Sequence, residues 1–247
     1  MTDIKNAPGP SPTLGGTFRA MMSDADLLRA KTVSAAKKAL DGGANPNAVD
    51  ESGVPALHHA VKKKTLELAE LLLARGADLD GREPDDGYTA LHVVCKSKSG
   101  VMSKTEIAAA LWLIEKGADV NAEGDFKDTP LHLAARSGCH DVIDALLAKG
   151  AKVTRTKRAQ TPLHYCFTTH DKDTWVWERL LAAGCGLEDV DDSNETVLLS
   201  AQSWWNPFAV KWLLTRGADR NAKDSKGKTL LERATELKQD KILKLLG

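Results

Sequence analysis

Four histidines (His58, His92, His132 and His164) and four cysteines (Cys95, Cys139, Cys166 and Cys185) are the side chains best suited to hold a metal ion or attack a substrate. Thiolate and imidazole bind zinc when they converge in close-spaced pairs. The cysteines, separated by 44, 27 and 19 residues, match neither a zinc pattern nor a compact disulfide framework, and they read as reduced thiols. A Ser or Cys nucleophile needs a base and an orienting group. The chain has no G-x-S-x-G elbow, no Walker loop and no H-E-x-x-H helix. No metal, cofactor or catalytic residue is therefore assigned.

The histidines have another explanation in their spacing. Each ends a recurring tetrapeptide: PALH, TALH, TPLH and TPLH, continued as TVLL and TLLE, with leucines at 57, 91, 131, 163, 198 and 231. A second marker runs LLARGADLD, LIEKGADVN, LLAKGAKVT, LLAAGCGLE and LLTRGADRN, with glycines at 76, 117, 150, 184 and 217. Two independent markers thus keep one period of about 33 residues. Stacking such units spaces the histidines one repeat apart in a row, too far to share an ion.

The elements that carry them are clearest from Thr129 to Ala151. Thr129 caps a short helix whose first residue is Pro130, where a missing N–H costs nothing. Ser137-Gly138 breaks it. A second helix places Val142, Ile143, Leu146 and Leu147 on one face, and Gly150 supplies the left-handed residue that ends it. Helices this short cannot bury an apolar stripe alone, so neighbouring pairs must stack and share a core.

The period and the signature Thr129-Pro130-Leu131-His132-Leu133-Ala134 closely resemble the ankyrin repeat family. The resemblance spans about Asp24 to Gly247. It implies an all-α solenoid of about seven helix-turn-helix units, with approximate bounds 24–54, 55–88, 89–128, 129–160, 161–195, 196–228 and 229–247. The first unit, which lacks the TPLH element, and the last, with Glu232 in place of His, read as caps. It also implies that the histidine row serves hydrogen bonding beside the capping threonines. Residues 1–23, rich in Pro, Gly and Ser, offer no apolar stripe and are expected to be disordered.

In this family partners bind on finger tips and on the exposed ends of first helices, which line a concave groove. On that analogy the finger positions here are Asp86, Tyr88, Phe126, Asp128 and Arg158. The helix-end positions are Lys62, Lys63, Lys96, Arg136 and Trp204. The helix-end lysines and Arg136 point to an acidic partner segment, with Trp204, Tyr88 and Phe126 as apolar anchors. Trp204 suits binding and packing equally. Trp205 replaces the turn glycine, and packing on Phe208 or Trp175 is expected of it. Trp112, Trp177 and Trp212 fall on core positions, and His59, His140 and His170 fall outside the row as surface residues.

Lys plus Arg equals Asp plus Glu at 34 each, so no global field draws the chain to nucleic acid or an anionic membrane. The basic stretches VKKKT and TRTKR are short, and acidic runs such as EDVDDSNE offset them. With neither a secretory signal nor an apolar run of membrane-spanning length, an intracellular, cytoplasmic monomer is expected. The leading reading is a non-catalytic protein-interaction scaffold, a regulatory or inhibitory partner of another protein. The competing reading is an enzyme accessory or a bacterial effector with an unrecognised site in the groove.

Overall fold

The computed structural model of the chain describes residues 23–63, 65–97, 100–168 and 174–247. The segment through residue 22, expected to be disordered, lies outside them, as do Lys98, Thr169 and His170. The chain divides into two compact units, one ending at Pro84 and one running from Asp85 to Gly247.

In the first unit a helix at residues 23–29 (α1) is followed by α2 (Val33–Asp41), α3 (Ala56–Lys62) and α4 (Leu66–Ala74). The second unit continues with α5 (Ala90–Cys95), α6 (Lys104–Glu115), α7 (Pro130–Ser137), α8 (His140–Ala148), α9 (Pro162–Tyr165) and α10 (Thr174–Ala182). It closes with α11 (Val197–Ser203), α12 (Pro207–Thr215), α13 (Leu230–Glu236) and α14 (Asp240–Leu246). Among the described residues there are seven helix pairs and no strand. Isolated bridges, Val49 to Pro55 and Val190 to Thr196, pinch two of the fingers.

Local chemistry explains the helix starts. In α5, α7 and α9 the capping threonine and the histidine three residues on form a reciprocal box. The backbone N–H groups of Thr89, Thr129 and Thr161 donate to Nδ1 of His92, His132 and His164 at 3.3, 3.2 and 3.1 Å. The far ring nitrogens of His92 and His132 meet the carbonyls of Asp128 and Gln160, each at 3.2 Å, so each histidine ties its helix to the next finger. At Thr229 the same box is completed by the Glu232 carboxylate, whose pKa the Thr229 backbone N–H holds down. The second helix of the α5 repeat, α6, starts through a box between Ser103 and Glu106.

First helices stack on first helices from α5 to α13. Second helices do likewise from α6 to α10, and α12 packs on α14. Leu131, Leu146, Leu163, Leu180 and Leu198 are fully buried between them. An aromatic cluster fills the later repeats: Trp177 lies 5.3 Å from Phe167, 6.0 Å from Phe208 and 5.1 Å from Trp212, measured between ring centroids. Trp177 and Trp212 are core as expected, whereas Trp112 is only half-buried, beneath the Lys116 ammonium.

Candidate protein-binding face

The fingers of the second unit are joined tip to tip by backbone hydrogen bonds. The N–H of Asp125 donates to the Asp86 carbonyl, Lys157 to Phe126, Asp192 to Arg158 and Ser225 to Ser193, all at 2.8–2.9 Å. Each tip turns through one left-handed residue. Gly87 and Gly227 fill that position in two fingers, but Lys127, Ala159 and Asn194 hold it at φ 59°, 57° and 56°. The ladder fixes the tips as a surface, and it makes Phe126 and Arg158 neighbours in consecutive fingers.

Phe126 is 57% exposed with the Lys157 ammonium over its ring, and Trp204 is 55% exposed at the end of α11. Arg158 and Trp204 line one pocket. Arg136 is half-buried on α7. Lys62 and Lys63 are exposed in the first unit, at the end of α3. The Lys62 ammonium reaches Glu83 at 3.1 Å and that of Lys96 reaches Asp86 at 2.6 Å, so carboxylates of the chain itself already neutralise two of the expected basic helix ends. Asp86 serves that ion pair.

Tyr88 and Asp128 depart from the expected exposure. Tyr88 is 4% exposed; its hydroxyl donates to the Asp128 carboxylate, and its ring stacks on His92 at 5.0 Å. Burial first, and the Asp128 carboxylate second, push its phenol pKa up. The ring fits there because residue 124 is glycine: a Cβ at that position would lie 2.5 Å from a Tyr88 ring carbon. Tyr88 and Asp128 therefore join adjacent repeats and are not available as surface anchors.

Trp205 departs in the other direction. It is 60% exposed, and its φ of 54° is the left-handed angle that Gly138 adopts two units earlier. A bulky side chain in that region is strained. The Asn-Pro that follows explains the geometry: the Asn206 side chain accepts from the Ala209 N–H, and Pro207 opens α12. This cap fixes the start of α12 directly after the Trp205 corner. Trp175 instead stacks on His140 at 4.1 Å, and His59 pairs with Asp50 at 2.8 Å.

No group of three or more potential metal ligands comes together among the described residues. The four cysteines are buried and form no disulfide among the described residues, with thiol pKa values raised by burial, to about 11 for Cys185. They are poorly suited to act as nucleophiles.

The family model for ankyrin repeats in three copies matches residues 27–123 and, again, 100–185. The chain belongs to the ankyrin repeat family. Ankyrin repeats generally mediate protein–protein interaction, and the family's members are typically non-enzymatic. Among similar ankyrin proteins, the mouse ankyrin repeat and SOCS box protein 16 is 37% identical over 54% of this chain and 30% of its own length. A Caenorhabditis elegans homologue of transient receptor potential cation channel subfamily A member 1 is 28% identical over 77% of this chain and 15% of its own. The chicken nuclear factor NF-kappa-B p105 subunit is 34% identical over 40% of this chain and 10% of its own. The chain thus spans about a third or less of these relatives. No helix among the described residues is long and apolar enough to cross a membrane.

Proposed function

We propose that this chain is a non-catalytic interaction module that binds a partner protein on the finger-tip and first-helix-end face of residues 85–247. The observation that carries this reading is the pair Trp204 and Trp205, both more than half exposed, the second in a backbone conformation that folding would assign to glycine. Large, stiff aromatic side chains dominate protein interfaces. Phe126 and Arg158 extend the same face.

The module acts inside the cell as a regulatory or inhibitory monomer in this reading, and four cysteines that form no disulfide among the described residues fit that reducing setting. Nucleic acid is a poor partner, because the exposed cations are interleaved with carboxylates. Replacing Phe126 with a photo-crosslinking analogue in the full chain, expressed in its own cells, tests the surface. An adduct with one protein is expected from position 126 and none from the exposed Lys211 on α12. Identical adducts from both positions would remove the support for this face.

A further inference from the structure

The fingers beginning at Asp50, Asp191 and Asp224 share one device. In each, Oδ1 of the aspartate accepts two backbone N–H groups of its own turn: from Ser52 and Val54, from Ser193 and Glu195, and from Lys226 and Lys228. Nine residues on, the following helix carries His59, Ser200 and Arg233 respectively. His59 meets the Asp50 carboxylate at 2.8 Å and Arg233 meets that of Asp224 at 3.4 Å. Where the first and last of these fingers supply their own cationic or protonatable side chain, the middle one has a serine.

The consequence is visible around Asp191. Its side chain makes no ion pair among the described residues, although the residue is only 7% exposed. Ser200 is 5% exposed, and its hydroxyl has no hydrogen-bonding partner among the described residues. Both line an open pocket of about 250 Å³, the same one that Trp204 and Arg158 border. Glu195 and Ser203 add acceptor oxygens to the lining, though Arg233 already engages both at 2.8 and 2.6 Å. Burial lowers the pKa of His164, against the opposing pull of the Asp191 charge.

We propose that this pocket receives a basic side chain of the partner protein, with Asp191 as its counter-charge, Ser200 as a hydrogen-bond acceptor and Trp204 as an aromatic wall. It deepens the protein-binding reading and rests on it. The incoming ammonium or guanidinium takes the place that His59 and Arg233 occupy in their own fingers. A nearly buried carboxylate lacking a counter-ion gains from such a pairing, and an aromatic face attracts a cation. Arg158 opposes it, but its guanidinium is exposed and lies 3.7 Å from Asp192, which offsets its charge.

The test uses the full chain, labelled with ¹⁵N, titrated with N-acetyl-arginine amide and N-acetyl-lysine amide, with N-acetyl-glutamate amide as control. The basic probes should shift the Ser200 amide and the Trp204 indole signals, and the control should not. Asp191→Asn keeps an oxygen for the turn and should weaken the basic probes about tenfold or more. Ser200→Arg supplies the cation from within, so it should raise the melting temperature and abolish the shifts. Unmoved signals, equal binding to Asp191→Asn, a lowered melting temperature for Ser200→Arg, or shifts with the glutamate probe alone would each overturn the proposal. A protein partner that binds Ser200→Arg as well as it binds the parent chain would overturn the pocket while leaving the protein-binding reading intact. Basic probes that bind a chain with no protein partner would do the reverse.

Discussion

Trp205 holds the backbone angle that Gly138 holds in the corresponding corner two repeats earlier, φ 54° against 63°. The glycine adopts it freely; the tryptophan pays a steric penalty and leaves its ring in solvent.

Trp205→Gly should therefore raise folding stability by about 1 kcal/mol, since it relieves a left-handed non-glycine residue without removing a buried contact. Urea denaturation measures it. A loss of stability would mean that the ring packs more than its exposure shows.

Ala159 presents the same conflict at a finger tip, with φ 57° where Gly87 and Gly227 stand in sister fingers. Ala159→Gly should be neutral or stabilising by up to about 1 kcal/mol. Gly87→Ala should destabilise by more than that gain, because its Cβ would crowd the Asp125 carboxylate as well as adopt the strained angle. Thermal melts should fall for Gly87→Ala and hold or rise for Ala159→Gly.

Much of the framework was legible in the sequence because it repeats. The Leu131 and Leu146 stripes, the threonine caps and the histidine row each recur at one period, and within residues 85–247 first helices stack on first helices over those buried leucines. Tyr88 was misread because the feature that buries it is an absence, the missing side chain of Gly124 in the next finger. Trp205 was misread because glycine is the sequence signal for a left-handed corner, yet the corners at Trp205 and Lys238 form without one. The Asp191 pocket was present as a signal, since the residue nine positions after each finger aspartate can be compared across units, but its meaning needed the ion pairs at Asp50 and Asp224.

Leu131 and Leu146 have no exposed surface. Leu131→Ala or Leu146→Ala should each cost about 2–5 kcal/mol, the lost apolar transfer plus the cavity left behind. Denaturant midpoints report it, and a cost under about half a kcal/mol at both would contradict the shared core.

Acid should weaken the stack before most carboxylates titrate. Burial depresses the His132 pKa from 6.5 to about 4, so the folded chain resists protonation that the unfolded chain accepts. Stability is then full above pH 6.5 and falls as pH drops towards about 4, by about 1 kcal/mol for this residue between pH 7 and pH 5.5. His164 shifts in the same direction for the same reason. His132→Gln can still accept at the cap and does not titrate, so its stability should fall less over that interval. An equal fall in both chains would remove His132 as a source of the acid sensitivity.

The central claim is that exposed aromatic side chains on the finger and helix-end face hold a partner protein. Quantitative capture from the protein's own cells, comparing the parent chain with Trp204→Ala at matched folding stability, tests it most directly. The account predicts at least one protein retained by the parent chain and reduced about tenfold or more by the substitution, equivalent to about 1.4 kcal/mol or more of binding, with an unchanged thermal melt. An identical set of captured proteins in identical amounts would contradict it.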